Sequence, residues 1–142
     1  MSETRLQVAL DFLDLSRAMK VAEAAVAGGA DCVEAGTPLI KSEGLDAVRA
    51  LRAAFPGMTI VADMKTMDAG KIEAEAAAKA GANVMTVCGS AGEGTIRECV
   101  ETGRQFGIDV AVDLMGVADV EALVCRCEEI GVAWLDVHCA ID

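Results

Sequence analysis

The chain has 142 residues, 54% of them hydrophobic, a net charge of -11, a pI near 4.4 and a mean hydropathy of +0.40, so it can bury a core and is not a disordered segment. Its negative field repels phosphodiester backbones, and no Lys/Arg cluster interrupts it, which argues against nucleic acid as a partner. There is no run of about 18 apolar residues to cross a membrane, and the start Met1-Ser2-Glu3-Thr4-Arg5 lacks a basic region leading into an apolar one; the expected location is cytoplasmic.

Along the chain, short apolar runs alternate with amphipathic stretches, and glycines mark the joins. Leu6 to Asp11 predicts a first strand, and the helical stretch behind it ends at Gly29, where a left-handed residue is needed. Asp31 to Ala35 predicts a second strand. The clearest helix follows, with Leu45, Val48, Leu51 and Phe55 at helical spacing, Ser42 as the expected cap and Pro56-Gly57 as the stop. Thr59 to Lys65 is the third strand and Asn83 to Val87 the fourth, their helices ending at Gly81 and Gly107. The loop Gly89-Ser90-Ala91-Gly92-Glu93-Gly94 carries an acid where a phosphate cradle avoids one, so it is expected to be a plain strand-to-helix turn. Asp109 to Leu114 is the fifth strand. Asp119 then caps a helix that carries Val120, Leu123, Val124, Cys127 and Ile130 and ends at Gly131, and Ala133 to His138 is the sixth strand.

Among six cysteines, Cys32, Cys88 and Cys139 lie in or beside apolar strand-like runs and are expected to be buried free thiols. Cys125 and Cys127 are two apart on a predicted helix and so point to different faces, which spoils them as a chelating pair.

The Val, Ile, Leu and Ala content of the strands suits a parallel sheet covered on both faces. Strict alternation leaves a doubly wound open sheet or a closed barrel. A dinucleotide fold carries G-x-G-x-x-G after its first strand, whereas here Asp11-Phe12-Leu13-Asp14 follows. The expected fold is therefore α/β, a (β/α)₈ TIM barrel with six strands and five helices in residues 1–142. A closed barrel needs eight strands. A partial barrel that stops before strands seven and eight is expected, as a truncated domain, an incomplete gene product or a fragment of a longer or fused protein, with the phosphate-gripping loops beyond Asp142. An open α/β sheet of six strands is the architectural rival.

Asp11, Glu34, Asp63, Lys65, Asp113 and His138 all fall at or near the carboxyl ends of predicted strands. In a barrel those ends form one rim. A charged group in an apolar strand is costly unless it is paired or binds metal; one alone is more often a hydrogen-bonded structural group, but five strands sharing the choice point to a catalytic rim. Asp63 and Lys65 are two apart and share a strand face, so the carboxylate can hold the ammonium charged while the ammonium stabilises a developing oxyanion. Asp68 lies just beyond, on the turn.

The run Glu34-Ala35-Gly36-Thr37-Pro38-Leu39-Ile40-Lys41-Ser42-Glu43-Gly44, together with Ala62-Asp63-Met64-Lys65-Thr66-Met67-Asp68-Ala69-Gly70, resembles the 3-hexulose-6-phosphate synthase family of the orotidine 5′-monophosphate decarboxylase superfamily. The resemblance extends from Leu6 to the last residue. It implies a homodimeric barrel enzyme, an aldehyde-lyase that condenses formaldehyde with ribulose 5-phosphate in a Mg²⁺-dependent aldol reaction or cleaves hexulose 6-phosphate in reverse. By the same resemblance Glu34 and Asp63 place Mg²⁺, Lys65 stabilises an enediolate and His138 moves protons at the reacting carbon. Asp11 binds substrate hydroxyls and orients Lys65, Asp113 belongs to the substrate-binding set, and Asp68 reaches into the neighbouring subunit's site. For Asp68 a helix N-cap remains equally open.

The nearest rival is 3-keto-L-gulonate 6-phosphate decarboxylase, which shares the metal carboxylates but reaches an enediolate by losing carbon dioxide. Decarboxylases of that type carry Glu where this chain has Asp113 and Arg where it has Ile141, so both positions point to the synthase. Orotidine 5′-monophosphate decarboxylase itself needs no metal, and Glu34 argues against it. A reading from another class is a catalytically silent binding or regulatory module, which absent strands favour and an intact rim opposes.

Overall fold

The structure, a computed structural model, describes residues 4–140; Ile141 lies outside the described residues. Its elements are β1 (Gln7–Leu10), α1 (Leu15–Ala27), β2 (Cys32–Ala35), α2 (Thr37–Glu43), α3 (Asp46–Ala54), β3 (Thr59–Thr66), α4 (Gly70–Ala80), β4 (Val84–Cys88), α5 (Glu93–Phe106), β5 (Asp109–Asp113), α6 (Val120–Ile130) and β6 (Trp134–Asp136). The six strands form one parallel sheet in the order β1-β2-β3-β4-β5-β6. A doubly wound sheet reverses its order at a switch point, whereas this order runs monotonically, as in a (β/α)₈ barrel. The described residues make six strands and six helices of such a barrel.

The extra helix corrects the expected count of five. Gly36 caps α2, Pro38 sits in its first turn with a backbone angle already suited to a helix, and Gly44 at φ 67° ends it. Ser42 therefore lies inside α2 and does not cap α3; its hydroxyl donates to the Leu13 carbonyl at 2.7 Å. Leu45 precedes α3, whose first turn carries Asp46, an acid placed well against the helix dipole. The other ends follow the sequence. Asp119 Oδ1 accepts from the Ala122 amide at 3.0 Å, and Gly29, Gly81, Gly107 and Gly131 all have positive φ at helix ends.

Alternation along the strands divides the sheet into two faces. One lies beneath the helices, where Leu10, Val33, Ala35, Ile60, Ala62, Met85, Val87 and Val112 are fully buried together with Ala18, Leu39, Leu51 and Ala74 from the helices. Full burial of a side chain of Leu or Ile size stabilises by roughly 1.5–3 kcal/mol, so this face carries most of the folding free energy. The close approach of α4 to α5 depends on Gly70, because a Cβ there would run into the Thr95 carbonyl oxygen. The other face looks into the barrel and carries Glu34, Asp63, Thr86, Asp113 and Asp136.

All six cysteines are free. Cys32 and Cys88 are buried as expected, and Cys127 is buried while Cys125 is exposed, in line with their opposed faces. Cys139 is exposed, contrary to expectation. Among the described residues β6 pairs with β5 alone and ends at Asp136, so Cys139 lies past the strand.

Candidate active site

β3 positions the centre of the site through an irregularity. Its pairing with β4 is regular at Val61↔Val84 and Ala62↔Met85 and then resumes at Thr66↔Val87, so four residue steps on β3 span two on β4. Asp63, Met64 and Lys65 bulge there, and Lys65 takes a left-handed backbone at φ 45°. Such a conformation costs a residue with a Cβ and persists only where surrounding contacts enforce it.

Those contacts are polar. Asp63, only 6% exposed, has Oδ1 at 3.0 Å and Oδ2 at 2.9 Å from Lys65 Nζ. Thr37 Oγ1, at the start of α2, lies 2.7 Å from Oδ2, and Thr86 Oγ1, on β4, donates to Oδ1 at 2.7 Å. Lys65 Nζ continues to Asp113 Oδ2 at 2.9 Å, and the same oxygen lies 2.9 Å from His138 Nδ1. The Met115 amide donates to the other Asp113 oxygen at 2.8 Å.

The result is one hydrogen-bonded line, Asp63–Lys65–Asp113–His138, with the ammonium between two carboxylates and the imidazole at its end. Burial works to lower the Lys65 pKa, but the hydrogen bonds from its ammonium to Asp113 and Asp63 outweigh it and hold the group above the usual lysine range. Burial likewise raises Asp113, yet His138, Lys65 and the Met115 amide together hold its carboxyl below the usual range. The hydrogen bond to Asp113 raises His138, against a smaller opposing effect of burial. With Nδ1 on Asp113, Nε2 is the ring nitrogen left to meet a substrate.

Beside this line sits unbalanced negative charge. Glu34 on β2 accepts from the Gln7 amide group, and burial followed by the nearby charge of Asp63 pushes its pKa up to about 7, with Asp11 and Asp136 adding to the shift. Asp136 is also raised, by burial and then by Asp113. A cavity of about 500 Å³ lies over these groups, lined by Asp11, Glu34, Asp63, Lys65, Asp136 and His138. Convergent carboxylates whose pKa values are raised by burial and then by mutual repulsion are the donor chemistry a hard divalent cation satisfies, so the residues present fit such an ion. Oxygen and nitrogen atoms of Asp113, Asp136 and His138 also lie within 4.8 Å of one another. Asp113 and Asp63, however, are each already engaged by several partners, which leaves Glu34 and Asp136 as the under-compensated acids.

The structure thus brings Asp11, Glu34, Asp63, Lys65 and His138 around one cavity, with Asp113 buried behind them. Among the described residues the Lys65 ammonium bonds Asp63 and Asp113, while Asp11 lies against Gly36, where a Cβ would run into its Oδ1. Asp68 is exposed and outside the cavity, and Ala69 rather than Asp68 occupies the N-cap of α4. Among the described residues, its Oδ1 accepts from the adjacent Ala69 amide alone, at 2.7 Å. Sequence reasoning missed Thr37, Thr86 and Asp136. Asp136 is signalled by its place two residues before His138, on the same face of the strand predicted over Ala133 to His138, and Thr37 lies within the motif around Glu34. Thr86 carries no charge and offered no signal alone.

Comparisons with known proteins give the family and the fold. The profile of the Orotidine 5'-phosphate decarboxylase / HUMPS family matches residues 4–140. The 3-hexulose-6-phosphate synthase of Mycobacterium gastri is 41% identical over 97% of this chain and 66% of its own length. A crystal structure of a 3-hexulose-6-phosphate synthase, 41% identical, superposes with a TM-score of 0.93 over 98% of this chain and 67% of that one. A 3-keto-L-gulonate-6-phosphate decarboxylase from Vibrio cholerae is 31% identical with a TM-score of 0.90, over 94% of this chain and 62% of that one. The chain spans about two thirds of the length of these relatives.

Proposed function

Because the chain belongs to the orotidine 5′-phosphate decarboxylase / HUMPS family, we propose that its rim site serves 3-hexulose-6-phosphate synthase chemistry, joining formaldehyde to ribulose 5-phosphate or cleaving the hexulose 6-phosphate product. The observation that carries this reading is the hydrogen-bonded line Asp63–Lys65–Asp113–His138 at the mouth of a cavity rich in carboxylates. The greater identity to synthases than to the decarboxylase supports the same choice.

In the forward direction a base takes a proton from the sugar carbon next to the carbonyl, the resulting enediolate carbon bonds to formaldehyde carbon, and the new alkoxide takes up a proton. His138 would serve both proton steps through Nε2, a role its Nδ1 contact with Asp113 supports by holding the ring. Lys65, kept charged by Asp63 and Asp113, faces the developing negative charge. Asp11 lines the cavity for the sugar hydroxyls. Glu34 and Asp63 would hold Mg²⁺, Asp63 by giving up one of its contacts from Lys65; the ion supplies Lewis-acid stabilisation of the enediolate oxygens. The free thiols suit a reducing cytoplasm.

Calorimetric titration with Mg²⁺ and ribulose 5-phosphate, beside an assay of formaldehyde consumption, tests the reading. Glu34→Ala and Asp63→Ala should abolish metal-dependent activity while circular dichroism shows the fold intact. Full activity in either variant contradicts the metal assignment. A silent module binds neither ligand specifically.

Two strand–helix units beyond the six described here belong to a closed barrel, and their loops usually grip phosphate. The 142-residue chain should therefore bind the sugar phosphate more weakly than a form carrying those units; equal affinity and turnover in the two contradicts this partial-barrel reading. In the proposed homodimer Asp68 acts on the neighbouring site. Mixed Asp68→Ala and Lys65→Ala proteins should then regain activity in a heterodimer, and no recovery after proven subunit exchange removes that role.

A further inference from the structure

We propose that Thr86 is the positioning residue of this site, the side chain that holds the β3 bulge and with it the working geometry of Asp63 and Lys65. The proposal rests on the synthase reading for its kinetic consequence and on the bulge geometry alone for its structural one.

Where β3 carries two more residue steps than β4, its main-chain groups fall out of the regular ladder. A buried amide or carbonyl left without a partner is costly, so something must replace the ladder bonds. For Lys65 both replacements are side chains of β4. Its amide donates to Thr86 Oγ1 at 2.9 Å, and its carbonyl oxygen accepts a weak bond from Cys88 Sγ at 3.4 Å. Thr86 also donates its own hydroxyl hydrogen to Asp63 Oδ1 at 2.7 Å. One buried hydroxyl thus uses both capacities on the two residues flanking Met64. As acceptor it fixes the left-handed turn of Lys65, and as donor it fixes the carboxylate that Lys65 Nζ grips.

Thr86 itself need not touch a substrate. Valine has its shape and neither capacity; serine keeps both. With the hydroxyl gone, the Lys65 amide loses its partner, the bulge is free to relax towards regular pairing, and the ammonium shifts from the line it forms between Asp63 and Asp113. A displacement of about 1 Å in a catalytic group costs on the order of 100-fold in rate, with ground-state sugar binding little changed.

The test compares the parent protein with Thr86→Val and Thr86→Ser by two readouts. In Thr86→Val, hydrogen exchange of the Lys65 amide, followed by NMR, should quicken at least tenfold relative to neighbouring β3 amides. Turnover should fall about 10- to 100-fold with KM for ribulose 5-phosphate within about threefold, and Thr86→Ser should restore both. Should Thr86→Val be too unstable to assay, Thr86→Ala takes its place with the same expectations. Slow Lys65 exchange retained in the hydroxyl-free variant overturns the proposal, as does fast exchange with unchanged turnover, which leaves Thr86 a purely structural residue. If the parent shows no synthase activity, the functional reading fails by itself, while the exchange result still decides whether Thr86 holds Lys65.

Discussion

The two faces of the one sheet are built on opposite terms. β3 shows both within a few residues, because Ile60 and Ala62 are fully buried beneath the helices while Val61 and Asp63 turn into the barrel. The helix-covered face is mainly apolar, with Thr66 bonded to Glu73 of α4 as a polar exception, and its value lies in area removed from water. The barrel face holds acids that repel one another, a lysine with left-handed backbone and a hydroxyl that substitutes for ladder bonds. Such features cost stability and are kept where they perform chemistry. Odd and even positions of one strand therefore divide folding from function, and substitution should separate the two.

Lys65 is where that division should fail most visibly. Lys65→Met removes the charge facing the developing enediolate, and turnover should fall on the order of 10²–10³-fold, the usual loss for one oxyanion-stabilising group. It also leaves Asp63 and Asp113 buried without their shared cation, and a broken buried pair destabilises by about 3–5 kcal/mol. Urea unfolding alongside turnover measures both. A loss of turnover with no loss of stability would mean that the ion pairs are not holding the rim together.

Ile60→Ala should affect the helix-covered face alone. Truncating a fully buried Ile costs about 2–5 kcal/mol, so the urea midpoint should fall clearly, yet turnover per folded molecule should stay within about threefold of the parent, because the change is a cavity away from the reacting groups. A tenfold loss of turnover in fully folded Ile60→Ala protein would show that the faces are mechanically coupled across β3.

The two faces were not equally legible in the sequence. The apolar runs, their parallel arrangement and the glycine helix ends could be read because each depends on a local pattern: alternation, spacing or a residue that tolerates positive φ. The charged rim could be read for the same reason, since acids and a lysine stand out against Val and Ile. The bulge could not. It is a property of β3 paired with β4, and no residue in Thr59–Thr66 announces that two steps have been added. That gap hid Thr86, and with it the way the bulge aims Lys65 towards Asp63 and Asp113. α2 was hidden by its length of seven residues, too short for a helical pattern to declare itself.

The smallest expected effect concerns the end of the charged line. His138 is the only histidine in the chain, so its imidazole resonances can be followed by NMR without assignment ambiguity. Its pKa is raised first by the hydrogen bond to Asp113, and the parent midpoint should therefore lie above the ordinary value of about 6.5. Asp113→Asn keeps a hydrogen-bond acceptor near Nδ1 but removes the negative charge, while the lysine charge that disfavours imidazolium remains; the midpoint should move down. The sign for stability follows by linkage. With a folded-state pKa above the unfolded one, the contribution of His138 is complete below the unfolded value and is lost as pH rises through the folded value. The parent should thus become slightly less stable relative to Asp113→Asn as pH climbs through that window, on top of a constant penalty for disturbing Lys65. A midpoint that does not respond to Asp113→Asn would show that the 2.9 Å contact does not govern the imidazole, and His138 would lose its place at the end of the line.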